Sequence, residues 1–179
     1  MLEWAISKDA VRLALRHVHT RGTVYATSPL LNADFLHAYM VSKGQGTSWT
    51  QAKARSEALA GLLRDRIQAE MTRLDPGFAG SDSTPPAMRE ERIDQMVKGA
   101  AENPDVRMWV VAFLWTLAGA KLPQGRIANR LGVTTRTVRS DLTSVHVALA
   151  KMLLEEEERA RSARPAEEGE PPRVADRSD

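Results

Sequence analysis

Apolar residues along this 179-residue chain recur at the three- and four-residue spacing of helices. The β-branched stretch 23–27 is brief and reads as an extended connection rather than a strand with partners, and the expected fold is all-α. A first helix is predicted over 2–21: Trp4, Val11, Leu15 and Val18 form its stripe, Ile6, Leu13 and Ala14 widen it, and Gly22 ends it. A second carries Leu30, Leu31, Phe35, Leu36, Tyr39 and Met40, either opened by Ser28-Pro29 or capped later by Asn32. A long third helix, capped by Thr47 or Ser48, runs to about 74 with Ala52, Ser56, Leu59, Leu63, Ile67, Met71 and Leu74 in register. Asp75-Pro76-Gly77 stops it.

Residues 76–86 are rich in Pro, Gly, Ser and Asp and form the clearest linker. The expected organisation is a helical N-terminal region, 1–75, for partner binding or oligomerisation, the linker 76–86, a second module over 87–161, and a disordered acidic tail over 162–179. The second module begins with a helix over 86–101 whose apolar set is Met88, Ile93, Met96, Val97 and Ala100. Asn103-Pro104 breaks it and starts another, 105–118, which is apolar nearly all round from Val106 to Leu117 and closed by Gly119. A helix without a polar face cannot lie against water, so this one is expected to be the core support of the next two helices.

The stretch 122–152 reads as a short helix, a tight turn and a longer helix. Gly132 is the turn glycine, and Ala128, four residues earlier, is small enough for two helices to cross closely. Ile127, Leu131, Val133 and Val138 lock the pair, and Thr134 is the N-cap of the second helix. On that helix Val138, Leu142, Val145, Leu149 and Met152 point inward. Arg136, Arg139, Ser140, Thr143 and His146 are placed on the other side, with Thr135 at the helix start. One anchored face and one donor-bearing face is the division a DNA-recognition helix needs. Arginine has the reach and planar fork for guanine edges or phosphates, while hydroxyls make shorter contacts. Gln124 and Arg126 sit where the first helix exposes backbone N–H groups that favour a phosphate, and Arg130 at its other end offers a second phosphate contact. The same inward spacing also fits a two-heptad seam, which would make a homodimer; packing on the apolar helix accounts for it without a partner.

Net charge is +2 overall, which says little, but its distribution is uneven. From Glu155 onward there are nine acids and five bases, whereas 121–151 holds six bases (Lys121, Arg126, Arg130, Arg136, Arg139, Lys151) and one acid, Asp141. The basic excess therefore falls on the two-helix stretch, where neutralising phosphates would need it. The absence of cysteine excludes a disulfide framework or a thiolate metal site. Charges throughout 2–19 argue against a secretory signal, and the apolar run 108–120 is too short to span a bilayer. A cytoplasmic protein of a bacterial cell or phage-infected host, with no membrane partner, is expected.

Residues 104–153 resemble region four of bacterial sigma factors and the related LuxR-type modules. Pro104-Asp105 begins the hydrophobic helix, Ala118-Gly119 ends it, Ile127-Ala128 and Leu131-Gly132-Val133 come next in register, and Thr137-Val138-Arg139-Ser140-Asp141-Leu142 is similar to that family's recognition-helix core. The resemblance covers about a third of the chain and implies that Arg136, Arg139, Ser140 and Thr143 meet DNA. The N-terminal half does not complete a sigma factor: it has no acidic-aromatic polymerase-binding helix, and Trp4, Tyr25, Tyr39 and Trp49 are scattered. The overall layout, with Leu2-Glu3-Trp4-Ala5 at the start and the order of elements over 93–152, is similar to phage Q-type antitermination proteins.

No catalytic constellation is evident. His17 and His19 diverge by about 200° on one helix and cannot share a metal. The Glu155 to Glu158 run reads as a charge run and not an active site, and Lys43-Gly44-Gln45-Gly46 lacks the ending of a nucleotide loop and reads as a flexible one. The expectation is a non-enzyme with no cofactor and no metal: a sequence-specific transcription regulator that binds double-stranded DNA and acts with RNA polymerase. The alternatives are a Q-type antitermination factor, a DNA-packaging or replication-initiation protein, and a module that binds only protein.

Overall fold

The structure, a computed structural model, describes residues 6–44, 52–76, 86–117 and 122–163. Trp4, Gln45 to Ser48, most of the 76–86 stretch, Gly119 and nearly all of the acidic tail lie outside the described residues. Within them the regular structure is helical, as the spacing predicts: α1 (Lys8–Arg21), α2 (Asp34–Ser42), α3 (Ala52–Leu74), α4 (Pro86–Ala100), α5 (Pro104–Thr116), α6 (Gln124–Leu131) and α7 (Thr135–Ser162). Residues 23–27 form no strand. Among the described residues no helix is long and apolar enough to cross a membrane.

Local chemistry sets most boundaries. Ser7 caps α1 by accepting the Ala10 amide, and Gly22 ends it in the left-handed conformation at φ 82°. Asn103 caps α5 by accepting the Asp105 and Val106 amides, with Pro104 in the first turn, where its missing N–H costs nothing. The start of α2 departs from both expected versions. Pro29–Asn32 forms a 3₁₀ turn of its own, and α2 begins after Ala33, whose side chain cannot cap. The missing cap comes from far along the chain: the Glu157 carboxylate accepts the Phe35 amide at 3.0 Å.

α5 is the central element and packs against α3, α4, α6 and α7. Eight consecutive residues, Trp109 to Thr116, are buried, so the helix is enclosed on all sides. α7 is long, 28 residues or roughly 42 Å at 1.5 Å per residue. Val138, Leu142 and Val145 are buried along its first half. From His146 onward the buried set is Leu149, Ala150, Leu153 and Glu157, and here α7 meets α1 and α2. Met152 is only half-buried and Leu153 takes the expected inward place, because the buried stripe drifts around the helix toward those two neighbours. The helices of 8–74 and those of 104–162 therefore share one hydrophobic core.

Two details tie the first half together. Buried Ser56 on α3 accepts the Val24 amide at 3.1 Å and donates to the Val24 carbonyl, satisfying a connection that has no secondary structure. Leu13, expected to widen the α1 stripe, is instead 54% exposed. Two positions from Val11, it is turned about 200° away from the packed side.

Candidate nucleic-acid interface

α6 carries Ile127, Ala128 and Leu131 inward, and the chain then reverses at Gly132. Gly132 is left-handed at φ 66°; the Val133 amide reaches the Ala128 carbonyl at 3.0 Å and the Gly132 amide the Asn129 carbonyl at 3.3 Å. This is the Schellman pattern, which satisfies the last carbonyls of a helix while turning the chain sharply. Thr134 is the N-cap of α7 as predicted: its Oγ1 accepts the Thr137 amide at 3.1 Å.

The outer face of α7 presents Arg136, Arg139, Ser140 and Thr143, all exposed, with Thr135 half-buried at the start. Thr143 Oγ1 donates to the Arg139 carbonyl at 2.9 Å, leaving its lone pairs outward. Arg139 Nε donates to Gln124 Oε1 at 3.2 Å, so the first residue of α6 steers an arginine of α7. Arg126, two residues further along α6, is exposed.

The one acid in this stretch faces the other way. Asp141 is buried and held by Arg107 of α5 through a two-pronged ion pair, Nε–Oδ2 2.8 Å and Nη2–Oδ1 3.3 Å. Its pairing raises the pKa of Arg107 further. The exposed face is consequently free of carboxylates between Thr135 and Lys151.

Two expected contacts stand differently. Arg130 is half-buried and its Nη2 is engaged by α4, with Asp94 at 2.6 Å and Glu90 at 3.4 Å; a phosphate there has to compete with two carboxylates. His146 is not on the outer face at all: it is 5% exposed. Its position on the wheel points about 80° from Val138, toward the side that α1 covers. Burial, with help from the Arg12 and Lys8 charges and against the opposing pull of Asp9, pushes its pKa down to about 4, so the ring is neutral at pH 7. Its Nε2 has no hydrogen-bond partner among the described residues.

Sequence reasoning did not anticipate that α1 borders this face. A cleft of about 550 Å³ lies between α1, the start of α6 and α7, lined by Arg12, Arg16, His19, Gln124, Arg139 and Thr143 among others. His19 Nδ1 donates to the Trp115 carbonyl at 2.8 Å, with its ring stacked on that indole at 4.7 Å, whereas His17 Nδ1 bonds the Thr23 carbonyl. The two histidines thus serve separate backbone positions. The four-residue spacing of Arg12 and Arg16, one turn apart, was the available signal, but nothing local says which neighbour they face.

No family model, no curated protein and no solved structure matches the chain.

Proposed function

We propose that the chain binds duplex DNA by setting the outer face of α7 in the major groove, α6 and α7 acting as a sigma-region-four-like helix-turn-helix. The observation that carries this is the face from Thr135 to Thr143, where Arg136 and Arg139 stand with Ser140 and Thr143 while Asp141 is withdrawn and neutralised by Arg107. A face that merely kept a helix soluble would have no need to bury its acid. Arg136 and Arg139 supply guanine or phosphate contacts, Thr135, Ser140 and Thr143 shorter ones, and Gln124 and Arg126 a phosphate at the start of α6. The role this supports is transcription regulation in concert with RNA polymerase, without catalysis or a cofactor.

The test is duplex binding by the full chain and by Arg136→Ala and Arg139→Ala. Each is expected to lose roughly 1–3 kcal/mol of binding at unchanged melting temperature if it reads a base. Unchanged affinity in both overturns the assignment. Mapping bound sites across the genome then separates promoter regulation from antitermination, replication initiation and packaging.

A further inference from the structure

The cleft between α1 and α7 opens beside the arginine face and shares Arg139 and Thr143 with it. None of the described residues that line it is acidic. Arg12 has one carboxylate near it, Asp9 at 3.3 Å, and both side chains are more than half exposed, the kind of surface pair worth little and easily exchanged. Arg16 is exposed and has no acidic partner among the described residues. At the far wall Pro123 precedes α6 without any side-chain cap, so the Gln124 and Gly125 amides have no partner among the described residues where the helix dipole is positive. Arg12 and Arg16 stand about 6 Å apart along α1, close to the axial rise of two nucleotides of one strand, roughly 3.4 Å each.

We propose that this cleft receives the sugar-phosphate backbone of the strand bordering the groove that α7 enters, so that α1, remote in sequence, is a third element of the DNA interface with Arg12 and Arg16 on phosphates. The proposal rests on duplex binding by α7. A free anion would need only a pocket; this cleft runs without interruption into the arginine face, as a continuous polyanion requires. Because the contacts are to phosphates, they contribute affinity and orientation without sequence preference.

The experiment is fluorescence anisotropy of a labelled duplex with the full-length protein between about 50 and 200 mM salt. Arg16→Ala and the Arg12→Ala, Arg16→Ala double variant are compared with wild type on several duplex sequences. Each removed arginine is expected to lower the slope of log affinity against log salt by about 0.9, a loss of roughly five- to tenfold near 0.1 M salt, equal for every sequence. Arg16→Lys should keep the wild-type slope, which a role in folding alone would not predict. A wild-type slope in the double variant overturns the cleft proposal and leaves the α7 reading standing. A loss confined to one sequence also overturns it, since that is base readout. No duplex binding by wild type overturns both readings. Binding of inorganic phosphate that the double variant abolishes, with duplex affinity intact, would assign the cleft to a free anion and overturn the proposal as well.

Discussion

The carboxylate of Glu157, near the end of α7, accepts the backbone N–H of Phe35 at the start of α2, across 122 residues of sequence. It is 4% exposed, and Arg161, one turn on, pairs with it at 3.0 Å while approaching Asp34 of α2 at 3.7 Å. A helix that begins after alanine has borrowed its cap from another helix. Glu157→Ala should therefore cost about 2–3 kcal/mol, because it strands a buried amide and leaves Arg161 without its nearer carboxylate. Glu157→Gln keeps an acceptor and should cost less. Urea denaturation of both variants checks the order, and equal losses would exclude the cap.

Gly132 carries the turn between α6 and α7. A Cβ built there meets nothing within 4 Å, so the cost of Gly132→Ala lies in its φ of 66° alone. About 1–2 kcal/mol of destabilisation is expected, with Gly132→Asn recovering part of it, since asparagine tolerates the left-handed region. Thermal melts of the two variants give the comparison.

Asp141→Ala removes the partner of Arg107, whose side chain is only 14% exposed. The uncompensated guanidinium should cost about 3 kcal/mol, and replacing Arg107 by methionine in the same chain should restore most of it. A double variant as unstable as the single one would mean that Asp141 acts through something other than this pair.

His146 links stability to acid. Its pKa is lowered in the fold to about 4 from 6.5, so below pH 6.5 the unfolded chain takes up a proton that the native chain refuses. The contribution is complete above pH 6.5 and is lost as pH falls toward 4, by about 3 kcal/mol in all. His146→Leu should remove that part of the acid sensitivity while leaving stability near pH 7.5 little changed or improved, the unpartnered Nε2 being gone. The difference between the two proteins at pH 7.5 and 4.5 isolates it from the carboxylates, which titrate in both.

What was legible in the sequence is what local chemistry determines. The Schellman turn at Gly132, the Thr134 cap and the period of Val138, Leu142, Val145 and Leu149 each depend on residues a few positions away, and all are present. The cap of α2 was not legible. Glu155 to Glu158 are four like side chains in a row, and only the arrival of Phe35 decides that Glu157 is enclosed while Glu156 pairs with Arg66 at 2.7 Å. His146 failed for the same reason: a wheel drawn for one packing neighbour, α5, says nothing of a second, α1, that covers the adjoining side. Asp141 was visible as the lone acid among six bases, but its partner Arg107, 34 residues earlier, was not.

The single unbroken rod of α7 limits how portable the two-helix element is. Besides α5 and α6 it packs against α1 and α2, and the buried Leu149, Leu153 and Glu157 lie in its second half, where Glu157 caps α2. A graft carrying 86–163 alone would bring an orphan greasy seam with a carboxylate in its middle, inviting aggregation. One trimmed near Val145 would lose that seam, yet it would still bare the side of α5 that α3 covers and leave behind the helix that bears Arg12 and Arg16.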